Sequence, residues 1–120
     1  MTDVEREIVL PASPNDVWDE LTDPERLGEW FGADVEGDVA EGELVRFTTP
    51  DGERRAVVER ADPPRRLTFR WLPTIDEPPS RVEIVIDEAS DGSVVRVVER
   101  RISTAVSPQQ EIGFRPLARV

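Results

Sequence analysis

The sequence predicts an α+β domain in which two short helices precede an antiparallel sheet of consecutive strands. Three observations carry that prediction. Between residues 43 and 101 apolar side chains recur with a period of two, as strands buried on one face require. The gaps between these runs are short and mostly rich in Pro, Asp and Gly, which suits hairpins and leaves no room for parallel crossovers. Ahead of them, Ser13-Pro14 and Asp23-Pro24 are two successive helix-start signals.

Each element follows from local chemistry. Residues 5–10 begin polar, end apolar in Ile8-Val9-Leu10 and stop at Pro11, a first strand. Ser13 caps the first helix, Pro14 takes the position where a missing N–H costs nothing, and Asp16 can close a capping box. Val17 and Leu21 share a face of that helix beside Trp18. Asp23 and Pro24 open a second helix with Leu27, Trp30 and Phe31 on its apolar side. Val35 marks a short edge strand, and residues 43–49 form a full one. Pro50-Asp51-Gly52-Glu53 is a hairpin turn, residues 55–61 return, and Asp62-Pro63-Pro64 turns again. Leu67, Phe69 and Trp71 alternate on one face, then a proline-rich loop over 73–79 leads to a strand over 82–86. Asp91-Gly92 turns into the last strand, residues 94–101.

Composition narrows the chemistry. A length of 120 residues suits a single domain over 1–120, with roughly two-thirds of the unfolded surface buried on folding. There is no cysteine, histidine or tyrosine, which removes thiol nucleophiles, the commonest neutral-pH base and a phenolic acid. No metal site and no cofactor are expected. A net charge of −11 argues against nucleic acid and anionic membrane surfaces as partners, since both demand clustered cations. No apolar run approaches the ~20 residues of a membrane span, and the charged N-terminus is unlike a signal peptide, so a cytoplasmic protein is expected.

The opening residues resemble a known family. Ile8 to Pro14, Val17-Trp18, Leu21 to Glu25, Leu27 and Trp30-Phe31-Gly32 are similar to the start of AHSA-type members of the START-like/SRPBCC superfamily. These are homologues of the heat-shock chaperone ATPase activator's C-terminal domain, with polyketide cyclases among their relatives. Matches continue in order through residues 42–47, Pro50-Asp51-Gly52, Val57-Val58-Glu59, Pro63 to Leu67, Phe69 with Trp71, and Asp91-Gly92-Ser93, covering about residues 4–100. The resemblance implies a helix-grip fold, a strongly curved antiparallel sheet wrapped on a long C-terminal helix with a pocket between. Here the last helix is expected to be shortened or absent. Ser107 to Glu111 start a helix, but Gly113 and Pro116 follow, at about 1 and 3 kcal/mol relative to alanine. A concave face left open would be covered another way, such as by a homodimer or a protein partner.

Alternation places Val45, Phe47, Leu67, Phe69, Trp71, Val82, Ile84, Ile86, Val95 and Val97 on the inner face. These residues form a core, and in a hollow sheet some also line a ligand pocket. The pocket candidates are Trp30, Phe31, Val45, Phe47, Phe69, Trp71, Ile84, Val97 and Glu99. Trp30 and Phe31 would either gate the cavity or clamp their helix to the sheet. Glu99 is the one catalytic candidate. Unpartnered and inward, it would be costly to desolvate, with a raised pKa suited to a general base; leaving the core, it would pair with Arg101 or Arg70 in water. Arg46, Arg70 and Arg96 fall on the outer face with Glu83, and Arg54-Arg55 reads as a basic pair at a turn. Three functions remain open: a carrier or sensor of a small hydrophobic molecule, a co-chaperone-like or protein-interaction domain, and a polyketide cyclase-like enzyme.

Overall fold

The computed structural model describes residues 4–75 and 77–102. Strand β1 (Val4–Leu10) runs into Pro11 and the chain turns into helix α1 (Pro14–Leu21). The Ser13 hydroxyl accepts from the Asp16 N–H at 3.2 Å, the capping bond that stops the first turn from fraying. Helix α2 (Pro24–Phe31) starts the same way, with Asp23 accepting from the Glu25 N–H at 3.0 Å. It ends at Gly32, whose φ of 65° is the left-handed conformation that terminates helices.

Six strands follow: β2 (Asp34–Glu36), β3 (Leu44–Thr49), β4 (Gly52–Asp62), β5 (Arg66–Trp71), β6 (Ser80–Ala89) and β7 (Gly92–Arg101). The sheet order is β1-β7-β6-β5-β4-β3-β2, and every neighbouring pair is antiparallel. From β2 to β7 each strand lies beside its predecessor in sequence. Only the β1–β7 seam joins distant parts, with Ile8 opposite Val95. The register of β4 against β5 slips between Val58 and Arg60, a bulge of the kind that bends a strand and increases its twist. Two helices and an open seven-stranded sheet make this a helix-grip α+β fold.

The expected inner face is the buried one. Val45, Phe47, Leu67, Phe69, Trp71, Val82, Ile84, Ile86 and Val95 form one cluster with Val17, Leu21 and Leu27 of the helices, and Val97 packs against it partly buried. Burying each such aliphatic or aromatic side chain stabilises by about 1.5–3 kcal/mol. Helix α1 lies on β6 and β7, and α2 on β2. The outer face carries ion pairs instead: Arg46 with Glu36 and Glu53, Arg66 with Glu83, Arg96 with Glu7, and Arg70 and Arg81 with Glu59.

Two expectations need correction. The turn after Thr49 is tighter than the sequence suggested, so β4 begins at Gly52 and Arg54 belongs to the strand, directly opposite inward-facing Phe47. Arg70 is not a partner of Glu99, because Arg70 lies on the outer face and is held by Glu59 at 3.1 Å. The helix expected from Ser107, with its break at Gly113 and Pro116, lies outside the described residues.

Candidate functional site

The strand registers set inward residues in rows across the sheet. One row runs Val4, Glu99, Val82, Phe69 and Val58; the next runs Arg6, Val97, Ile84 and Leu67. At the β7 and β1 end of these rows a cavity of about 290 Å³ opens. Val82, Ile84, Val97 and Glu99 form its floor, Val4, Arg6 and Ile8 one side, and Trp30 and Phe31 the helical side. The structure therefore brings five of the nine sequence candidates to this cavity: Trp30, Phe31, Ile84, Val97 and Glu99. Val45 and Phe69, buried in the core, line neither this cavity nor the smaller hollow beside it.

Phe31 is the hinge of the arrangement. Its ring lies 5.3 Å from Phe47, 6.3 Å from Phe69 and 6.2 Å from Trp71, tilted or edge-on in each case. Aromatic pairs in such geometry add about 0.5–1.5 kcal/mol beyond area burial. Phe31 thus clamps α2 to the sheet and also forms cavity wall. A second hollow, about 190 Å³, lies on its far side between Phe47, Trp71 and Arg54. Trp30 is tied to the other helix, its indole N–H donating to Glu20 Oε1 at 3.4 Å.

The open end of the sheet is polar. Ser80 donates its hydroxyl hydrogen to Glu99 Oε2 at 2.8 Å, and Glu99 is half-buried. Glu99 is therefore neither unpartnered nor fully withdrawn from water, and the premise for a desolvated general base is not met. Its partner is a serine across the strand pair rather than Arg101. Arg101 and Arg54 line the same hollow of about 310 Å³, together with Glu77, Ser80 and Glu99. Val4, Arg6, Arg54 and Ser80 were not among the sequence candidates. Alternation back from Ala56 would have placed Arg54 inward once the strand was begun at Gly52.

On the outer face the hydrogen bond from Arg81 holds the Glu59 carboxyl below its ordinary value. Burial opposes this effect, and the charge of Arg81 and the contact with Arg70 add to it. Among the described residues no three acidic side chains gather in a way that could hold a metal ion. None of their helices is long and apolar enough to cross a membrane.

A sheet that curves over an apolar hollow, entered beside two short helices, is the arrangement the sequence resemblance implied. The profile of the family described as activator of Hsp90 ATPase homolog 1-like protein, AHSA1, matches residues 11–115. The chain belongs to the AHSA1 family. Several solved structures share the fold. Protein MLL2253 from Mesorhizobium loti superposes with a TM-score of 0.75 at 20% identity, over 86% of this chain and 79% of that one. CalU16 from Micromonospora echinospora is 30% identical with a TM-score of 0.70, over 85% of this chain and 62% of its own. The Aha1 dimer from Colwellia psychrerythraea gives 0.74 at 16% identity, over 89% and 81%. No functionally curated protein matches the sequence.

Proposed function

We propose that this AHSA1-family chain binds a small hydrophobic molecule between α2 and the inner face of the sheet, as a cytoplasmic carrier or sensor. One observation carries the reading: a cavity of about 290 Å³ whose walls are mostly apolar, with Glu99 and Arg6 as isolated polar groups. That is the lower end of the size range of small-molecule pockets, and the lining has their usual character. Trp30 in the wall provides a built-in reporter.

The experiment is a titration with the neutral fluorophore N-phenyl-1-naphthylamine on the full chain, alongside native mass spectrometry of whatever copurifies. Val97→Phe fills the cavity from its floor, whereas Val98→Phe adds the same bulk on the outer face. Loss of binding in the first variant alone supports the reading. Equal binding in both, with folding intact by circular dichroism, removes it.

A second reading is supported by the family's description as Hsp90 ATPase activator homologues and by the dimeric Colwellia relative. In it the concave face meets a protein partner or a second copy. Sedimentation analysis distinguishes the two, because a surface used this way yields a dimer that Val97→Phe weakens.

A further inference from the structure

We propose that the polar end of the concave face takes the carboxylate of an amphipathic ligand, with the guanidinium of Arg54 as its partner. The inference deepens the ligand-binding reading and rests on it.

Arg54 is the group whose bonding is incomplete. Its Nη1 donates to Glu77 Oε1 at 2.6 Å, and its planar face lies 4.7 Å from the centroid of the Trp71 ring. Its Nε and Nη2 are buried and meet no acceptor among the described residues. Those two nitrogens form one edge of the guanidinium, with parallel N–H bonds. That is the edge that holds a carboxylate through two hydrogen bonds at once. Buried donors in native proteins are nearly always satisfied, so a matched pair with no acceptor on one edge points to a group that binds there after a small displacement of the neighbouring side chains. Trp71 and Glu77 fix the plane of the fork before any ligand is present.

The surroundings favour a single negative charge. Arg6, Arg54 and Arg101 face inward at this end, against Glu99 on the sheet and Glu77 on the loop. Glu77 is used on Arg54 and Glu99 is held by Ser80, so three cations face two anions. The chain as a whole carries −11, which makes this cationic surplus local to the hollow. Glu99 would repel a second acid group, so a monocarboxylate fits and a dicarboxylate does not.

The tail has two adjoining seats. The polar hollow shares Val4 and Glu99 with the cavity of about 290 Å³, which suits an alkyl chain over Val82, Ile84 and Val97. It shares Arg54 with the smaller hollow beside Phe31, Phe47 and Trp71, which suits an aromatic ring. A fatty acid and an aromatic acid therefore present the same head to Arg54 with different tails.

The test uses two matched pairs on the full chain at pH 7.5: decanoate with 1-decanol, and 2-naphthoate with 2-naphthol. Affinities are read by calorimetry and tryptophan fluorescence. The acid of at least one pair should bind about tenfold or more tighter than its neutral counterpart, and the pair that binds identifies the tail. Arg54→Gln should abolish that preference, bringing the acid's affinity down to that of its neutral counterpart measured on the same variant. Arg54→Lys, which keeps charge but not the fork, should retain only part of it and serves if the glutamine variant fails to fold. Equal affinity for acid and alcohol, or a preference that survives Arg54→Gln, overturns the carboxylate proposal and leaves the ligand-binding reading intact. If none of the four compounds binds, the ligand-binding reading fails, and the carboxylate proposal with it.

Discussion

Truncating Phe31 to alanine decides between the two roles the sequence left open for it, a gate over the cavity or a clamp on α2. Complete removal of a buried phenylalanine costs about 3–5 kcal/mol. Phe31 is only partly buried, which reduces that to roughly half, but its ring meets three others at 5.3–6.3 Å. Losing those edge-on contacts restores some of the difference, and the expected destabilisation is about 2–3 kcal/mol. In a domain of this size that lowers Tm by about 8–12 °C. Urea denaturation followed by circular dichroism measures it directly. Because Phe31 stands in the wall of both apolar hollows, the same variant merges them. Binding of N-phenyl-1-naphthylamine should persist or tighten in the protein that remains folded. A loss below about 1 kcal/mol, accompanied by faster probe entry, would show that the ring covers the entrance and holds nothing, and the clamp argument would be wrong.

Other consequences are equally direct. Gly92 has a φ of 150°, and a Cβ there would sit 2.0 Å from the Leu10 carbonyl oxygen, so Gly92→Ala should cost about 3 kcal/mol or more in chemical denaturation. Gly52→Ala, at φ 138° with open space around it, carries only the backbone strain of about 1 kcal/mol; equal losses at the two sites would refute the steric account. Glu99→Gln should change stability by less than about 1 kcal/mol, because Ser80 can donate to the amide oxygen as it does to the carboxylate. A loss above about 2 kcal/mol would place Glu99 in a buried ion pair. Glu59 has its folded pKa below the ordinary 4.5, so its contribution is complete above that value and disappears as pH falls through the folded pKa. Glu59→Gln should therefore remove up to about 1 kcal/mol at neutral pH and flatten the acid limb of the stability curve, which a pH series of urea melts would reveal.

The parts of the fold legible in the sequence were those written in local periodicity. Leu67-Thr68-Phe69-Arg70-Trp71 can satisfy one buried face only as a strand, and Ser13-Pro14 and Asp23-Pro24 can hardly be anything but helix starts. Inner and outer faces followed for Val45, Phe47, Ile84 and Arg46. What escaped depended on pairing or on turn length. Arg54 was read into a turn because the hairpin closes through two residues, Pro50 and Asp51, rather than four, so the strand begins at Gly52 rather than at Arg55. Val4 and Arg6 are ordinary residues of a charged first strand until β7 is placed beside them, and nothing near residue 6 announces residue 97. The Ser80–Glu99 bond is of the same kind: alternation marked Glu99, but its partner Ser80 is joined to it only once β6 and β7 are in register.

The seam between β1 and β7 has a consequence for the order of events during synthesis. Every other strand pair closes a short loop, whereas this one must bring Leu10 to Ser93 across nearly the whole described chain. Contacts so far apart in sequence are entropically the most expensive to close and tend to come late in folding. The cavity of about 290 Å³ takes one wall from each side of that seam, so the proposed pocket is incomplete in a nascent chain until its own beginning returns to meet residues 93–99. Occupancy then reports completeness, and a bound molecule, by holding both walls, would slow amide hydrogen exchange along Val4–Leu10 more than in the hairpins between β3 and β5.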